Sequence, residues 1–175
     1  MSNDSGISTI HGLHHFAWRC RDAEETRQFY EELLGLPLAH VVSDDNVGST
    51  GEYCPFVHMF FRMGDGSYIA FFDLGDGQAS VPDPGTPAWC NHLALEVATM
   101  EDLLTWKARL EAAGLSVLGP TDHEFVNSIY FFDPNGIRLE LTCRVDDEGY
   151  MDQAERVSHA RLAEWTNAKR QRMAA

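Results

Sequence analysis

The chain has no long apolar run; nothing in it approaches the roughly 18–20 consecutive apolar residues of a membrane-spanning helix. Its opening residues, MSNDSGIST, lack the charged-then-apolar pattern of a signal peptide, so a cytoplasmic location and no membrane partner are expected. Basic residues are scarce: 13 Lys and Arg stand against 27 Asp and Glu, a formal net charge of −14. A phosphate backbone would repel such a chain, which argues against a nucleic-acid partner. Cysteine is sparse as well. Cys20, Cys54, Cys90 and Cys143 are scattered without a C-x-x-C pair, so neither a thiolate zinc site nor a redox motif is suggested. Four reduced core thiols suit a reducing compartment. No phosphate-cradling glycine loop and no Ser-His-Asp arrangement is visible.

What is present is an ordinary globular composition over 175 residues, enough for one domain or for two small repeats sharing a core. The acid is unevenly spread. Residues 1–149 carry 8 basic against 24 acidic side chains, whereas residues 150–175 carry 5 against 3, which marks the tail as a separate piece.

An internal repeat organises the rest. HFAWRCRDAEETRQFYEELLGLPL, from His15, and HLALEVATMEDLLTWKARLEAAGLSVL, from His92, share one order of elements. Each has a His opening a short apolar strand, an acidic helix start, an amphipathic helix and a glycine stop at Gly35 or Gly114. The first helix is expected over about Ala23–Leu34, with Asp22 as N-cap; in the second copy Thr99 caps, and Leu103, Trp106, Leu110 and Ala113 give the 3–4 spacing. Strand-like runs follow at Leu38–Ser43, Pro55–Met63 and Tyr68–Asp73, then at Ser116–Leu118, Ser128–Phe132 and Ile137–Cys143. The expected fold is α+β: two βαβββ repeats forming a cupped mixed sheet, plus a C-terminal helix. The divisions are a disordered N-terminus (1–9), a first module (10–75), a Pro/Gly-rich linker (76–87), a second module (88–145) and a helical tail (146–175). The tail has a loose stripe of Met151, Ala154, Val157, Leu162 and Trp165, suited to packing on its own domain or on a partner subunit, and a homodimer is expected.

Strand alternation sorts the chemistry. In the first strand Phe16, Trp18 and Cys20 form the bulky face that must cover the helix, so His15, Ala17 and Arg19 look the other way. In the repeat His92, Ala94 and Glu96 oppose Leu93, Leu95 and Val97. His15 and His92 are thus equivalent inward positions. In the last strand Arg138, Glu140 and Thr142 oppose Ile137, Leu139 and Leu141, and a mid-strand Glu among apolar residues is costly to bury unless it is paired or bound to a cation. His15, His92 and Glu140 together make a facial triad of two imidazoles and one carboxylate. Such a set leaves neighbouring positions open and suits non-haem Fe(II).

On HHFAWRCRD…FYEELLGL, NHLALEV and SIYFFDPNGIRLEL, the chain resembles the vicinal oxygen chelate superfamily of glyoxalases, bleomycin- and fosfomycin-resistance proteins and extradiol dioxygenases. The resemblance implies a divalent metal at His15, His92 and Glu140, with Fe(II) favoured and Mn, Zn or Ni as alternatives. Glyoxalase-like members add a Glu in the last strand of the first copy; here that position falls on Ala70 or Phe72, and Asp73 reaches it only by an odd slip of register. The three-ligand extradiol pattern is therefore favoured. It implies a catechol-like aromatic substrate, O2, and catalytic roles for His123 and Tyr130. A plain four-residue loop over Asp133–Gly136 would pair Tyr130 with Leu139; a five-residue or bulged loop would bring it beside Glu140. His58, Arg19 and Phe72 are candidate substrate-binding residues. The rival readings are a glyoxalase-type lyase or isomerase and a metal-free resistance or ligand-binding protein.

Overall fold

A computed structural model describes residues 9–80 and 83–174. Most of the expected disordered N-terminus (1–8) and two linker positions (81–82) lie outside the described residues. In chain order the elements are β1 (His15–Arg19), α1 (Ala23–Arg27) continued by a π-helical segment (Gln28–Leu33), β2 (Leu38–Asn46), β3 (Tyr53–Arg62) and β4 (Tyr68–Asp73). They recur as β5 (Leu93–Glu96), α2 (Met100–Ala112), β6 (Leu118–Asp122), β7 (Val126–Phe132) and β8 (Arg138–Arg144), before α3 (Tyr150–Ala174).

Each repeat builds a four-stranded mixed sheet with the same strand order, β1-β4-β3-β2 and β5-β8-β7-β6. In the first, β1 runs parallel to β4, and β3 is antiparallel to both β4 and β2. One hydrogen bond recurs at the outer strand: Cys20 N donates to Phe72 O at 2.9 Å, and Val97 N donates to Thr142 O at 2.8 Å. Phe72 and Thr142 are therefore equivalent, as are Ala70 and Glu140. The chain divides into two compact units, Met1–Leu93 with Phe131–Leu139, and Ala94–Tyr130 with Glu140–Ala175.

Both helix starts follow from their caps. The Asp22 carboxylate accepts from Glu25 N at 2.7 Å, and Thr99 Oγ1 accepts from Asp102 N at 3.1 Å, each satisfying an otherwise orphaned first-turn donor. The first helix does not continue as the single α-helix expected to Leu34. Beyond Arg27 it widens into π-helical turns, with Leu34 N donating to Phe29 O at 3.0 Å. Widening brings Phe29, Tyr30 and Leu34 into the packed side together, all three buried. Tyr30 lies 4.8 Å from the Phe71 ring and 5.5 Å from Phe61, centroid to centroid, while Phe29 lies 6.4 Å from Phe131. Each such fully buried ring contributes about 1.5–3 kcal/mol of apolar transfer.

The strand expected at Ser116–Leu118 lies instead at Leu118–Asp122. Gly119 and Pro120 are absorbed by a shift of register between the pairs Leu118–Tyr130 and Thr121–Ser128. The α3 helix buries none of its residues, and Leu162 and Trp165 stand exposed. Among the described residues no helix is long and apolar enough to cross a membrane.

Candidate metal and substrate site

The first sheet has two unlike faces. Phe71, Ile69, Phe61 and Met59 are buried on the helix side. The other face is read from the register: His15 pairs with Tyr68, Ala17 with Ala70 and Arg19 with Phe72; across β3, Phe60 pairs with Ala70 and His58 with Phe72; across β2, His40 pairs with Phe60. His15, Arg19, His58, Phe60 and Phe72 thus share one aromatic, histidine-rich surface. The His15 ring lies 5.4 Å from Phe60 and 6.1 Å from His58. His58 stacks on Phe72 at 3.6 Å with planes 5° apart, and its Nδ1 lies 3.0 Å from Phe71 O. That carbonyl can only accept, so Nδ1 carries the proton and the lone pair sits on Nε2. Burial away from water holds the imidazole below its ordinary pKa, so His58 is neutral at pH 7.

The two ligand candidates of the first unit show comparable second contacts. His92 Nδ1 lies 3.2 Å from Cys90 O, and His15 Nδ1 lies 2.7 Å from His14 Nδ1. A ring nitrogen held by a neighbouring group directs the other nitrogen as a ligand atom, the usual arrangement for metal-binding histidines. Asp73, the remaining carboxylate near the end of β4, is committed elsewhere. Its Oδ2 accepts from Ala23 N at 2.8 Å, at the start of α1, and its Oδ1 accepts from Gly75 N at 2.7 Å. With Ala70 equivalent to Glu140, the first repeat offers no carboxylate at the fourth position.

In the second unit Ser128 Oγ meets Thr142 Oγ1 at 3.0 Å across β7 and β8. Counting back along both strands from that pair sets Tyr130 opposite Glu140. The loop agrees: Asp133 N donates to Ile137 O at 3.0 Å and Gly136 N to Asp133 O at 3.1 Å, with Gly136 at φ 82. This is the bulged alternative, in which a left-handed glycine supplies the extra residue. Glu140 is buried. His123 Nε2 lies 2.7 Å from Tyr130 Oη, with the rings at 87°. A tight turn presents His123: its N donates to Val126 O at 2.9 Å, and Glu124 takes φ 72. The two catalytic candidates thus share a hydrogen bond, and one of them flanks the candidate ligand Glu140.

Among the described residues no group of three or more His, Cys, Asp or Glu side chains is gathered so as to hold a metal ion. The sequence reading also missed the part played by the turn before β8. Asp133 and Asn135 read only as turn formers, yet both are buried. Asp133 accepts from Tyr30 Oη at 3.1 Å and from Ile137 N at 2.7 Å. Asn135 accepts from Arg21 N at 3.0 Å and donates to Thr26 Oγ1 at 3.2 Å. A D-P-N-G turn alone carries no sign of such long-range partners.

A repeated βαβββ sheet, with a histidine opening the first strand of each copy and a glutamate in the last strand of the second, is the architecture that comparison with known proteins places. The chain belongs to the Glyoxalase/Bleomycin resistance protein/Dioxygenase superfamily, which it matches over residues 12–141. It is 28% identical over 144 residues to MhqA of Bacillus subtilis (strain 168), assigned by name to the ring-cleaving dioxygenases; the match covers 81% of this chain and 43% of MhqA, so the chain spans less than half the length of that relative. Among solved structures, a glyoxylase/bleomycin resistance protein/dioxygenase domain from Frankia sp. EAN1pec superposes with a TM-score of 0.63 at 20% identity, covering 82% of this chain and 99% of that one. The fosfomycin resistance protein FosX of Listeria monocytogenes, solved with Mn(II) and sulfate, gives 0.56 at 21% identity, covering 77% and 93%. At such identities the structures share the fold.

Proposed function

We propose that the protein is a metal-dependent, extradiol-type ring-cleaving dioxygenase acting on a catechol-like aromatic with O2. The observation that carries this reading is the 2.7 Å contact between His123 and Tyr130 on the strand that sets Tyr130 beside buried Glu140. The similarity to MhqA supports the same class. His15, His92 and Glu140 would hold the metal, in a homodimeric protein. Two imidazoles and one carboxylate are a suitable donor set for Fe(II), and also accept Mn, Zn or Ni. The side contact at each histidine Nδ1 fits that use. When bound, the metal supplies positive charge and adjacent open positions for both vicinal oxygens and O2.

The chain's own groups do the rest. The Tyr130 hydroxyl donates to a substrate oxygen and hands its own proton demand to His123, since an imidazole exchanges protons readily near neutral pH. Phe60, Phe72 and the neutral His58 present ring faces against which an aromatic substrate stacks. A glyoxalase-type reaction is disfavoured, because Ala70 stands where a fourth carboxylate would be and Asp73 is spent on the start of α1.

The test is anaerobic loading with Fe(II), followed by metal analysis and oxygen uptake over a panel of catechols. One iron per chain, O2 consumption and the yellow absorbance of a ring-opened product are expected. His15→Ala and Glu140→Ala should lose the metal, whereas Tyr130→Phe should keep it and turn over slowly. A protein that binds no divalent metal under any loading condition refutes the reading and leaves a ligand-binding protein.

A further inference from the structure

We infer that the aromatic face of the first unit selects a substrate carrying a carboxylate, which Arg19 binds on releasing Asp76. The inference rests on the reading above in placing the diol end of the substrate at His15.

Arg19 ends β1 on the same face as His15 and Ala17. At about 3.3 Å per residue, the Cα atoms of His15 and Arg19 stand about 13 Å apart. The row between them is Ala17 paired with Ala70, where neither side chain extends beyond a methyl group. Phe60, Phe72 and His58 border that row on the neighbouring strands. The result is an aromatic face with an imidazole at one end and a guanidinium at the other, on which Ala17 is exposed while Ala70 is closed off beneath its neighbours.

The guanidinium is incompletely used. Arg19 Nη2 pairs with Asp76, but Arg19 Nε is buried and has no hydrogen-bond partner among the described residues. A buried donor left unmade is rare and marks either a cost or a use. Nε is closed to solvent while Asp76 is bound, so a carboxylate takes Nε–H and Nη–H together only as the guanidinium turns on releasing Asp76, in the bidentate geometry that arginine is shaped for. Asp76 is placed to yield. It sits in the loop after β4, its side chain is 43% exposed, and it also accepts from Gln78 N at 3.1 Å, a contact it retains when turned to solvent. Until ligand arrives, Asp76 holds the guanidinium in position. The need for a local cation is plain in a chain of net charge −14, which repels anions at long range.

The experiment measures binding by calorimetry on the full chain, with and without Fe(II) and under anaerobic conditions. The ligands are 3,4-dihydroxybenzoate, catechol and benzoate. We expect 3,4-dihydroxybenzoate to bind at least tenfold more tightly than catechol. In Arg19→Gln that ratio should collapse towards one, with Arg19→Lys in between because it keeps charge without the fork. In Asp76→Asn, where the competing carboxylate is gone, the ratio should rise several-fold, a change opposite to that of a merely damaged fold. Equal binding of the two diols to the parent protein overturns the inference while leaving a dioxygenase intact. Arg19-dependent binding of benzoate with no binding of either diol at His15 would retain the carboxylate site and overturn the dioxygenase. An Asp76→Asn ratio unchanged or lowered overturns the exchange between Asp76 and ligand.

Discussion

Replacing Tyr30 by phenylalanine tests how the hairpin that carries Tyr130 and Glu140 is held in register. Tyr30 is fully buried, and its hydroxyl donates to Asp133 Oδ2 at 3.1 Å, which also accepts from Asn135 Nδ2 at 3.0 Å. The substitution preserves the ring and its packing on Phe61 and Phe71, so the change is the loss of one hydrogen bond to a carboxylate. Such bonds are worth about 1.5–3 kcal/mol, and with Asn135 still in place the loss belongs at the low end, about 1.5 kcal/mol. For a chain of this size that lowers Tm by about 3–6 °C. The loss also depends on pH. Burial pushes the Asp133 carboxyl above its ordinary pKa, while the Tyr30 hydroxyl and neighbouring donors hold it back. A carboxyl raised in the folded state favours folding most below its unfolded pKa of 3.8, and that advantage fades as pH rises through the folded value. The Tyr30 bond offsets part of the cost of burying the ionised form. The variant should therefore lose the full amount at pH 7 and progressively less as pH falls towards 4. Urea unfolding at both pH values measures this. A difference below about 0.5 kcal/mol at pH 7, or one that does not vary with pH, would refute the assigned role of Asp133.

Gly119→Ala should be among the most damaging single changes. A Cβ there meets Ser128 O at 2.5 Å with φ at 103, so a loss above about 2 kcal/mol in urea unfolding is expected. Asp22→Ala removes the acceptor for Glu25 N and should cost about 1 kcal/mol, read as lowered Cm at unchanged m. His123→Ala and Tyr130→Phe should be strongly non-additive in kcat/KM, since their side chains share one hydrogen bond; additive losses would show two independent roles.

The sequence was legible where the determinants are local. Asp22 and Thr99 announce their helices through side chains that can reach the first-turn donors, and both do. The run Tyr68–Asp73 is a strand with those bounds because its bulky residues alternate with the pleat. Reading failed where a distant partner decides. The π-helical turns around Tyr30 accommodate a side chain whose acceptor lies 103 residues away, and the placement of β6 depends on a bulge that takes up Gly119 and Pro120. Register alone sets Asp73 aside, and nothing in its own strand shows that Ala23 N will claim it.

The position of Tyr130 was open between two loop geometries, yet the first repeat already contains the answer. There Met63 N donates to Ser67 O at 2.9 Å and Gly66 N to Met63 O at 3.1 Å, with Gly66 at φ 88. These are the same two bonds, and the same left-handed glycine, as in the Asp133–Ile137 loop. Gly66 and Gly136 each supply the backbone conformation that a side chain would resist, so the two hairpins share one register. In the first, Phe60 pairs with Ala70. The equivalent pair in the second is Tyr130 with Glu140. One register therefore carries two different pairs: an aromatic ring beside a methyl group in the first repeat, and a phenol beside a carboxylate in the second. The symmetry of the fold fixes where such side chains stand. Departure from that symmetry at these two equivalent positions gives the two sheets different side chains at the same place in the fold.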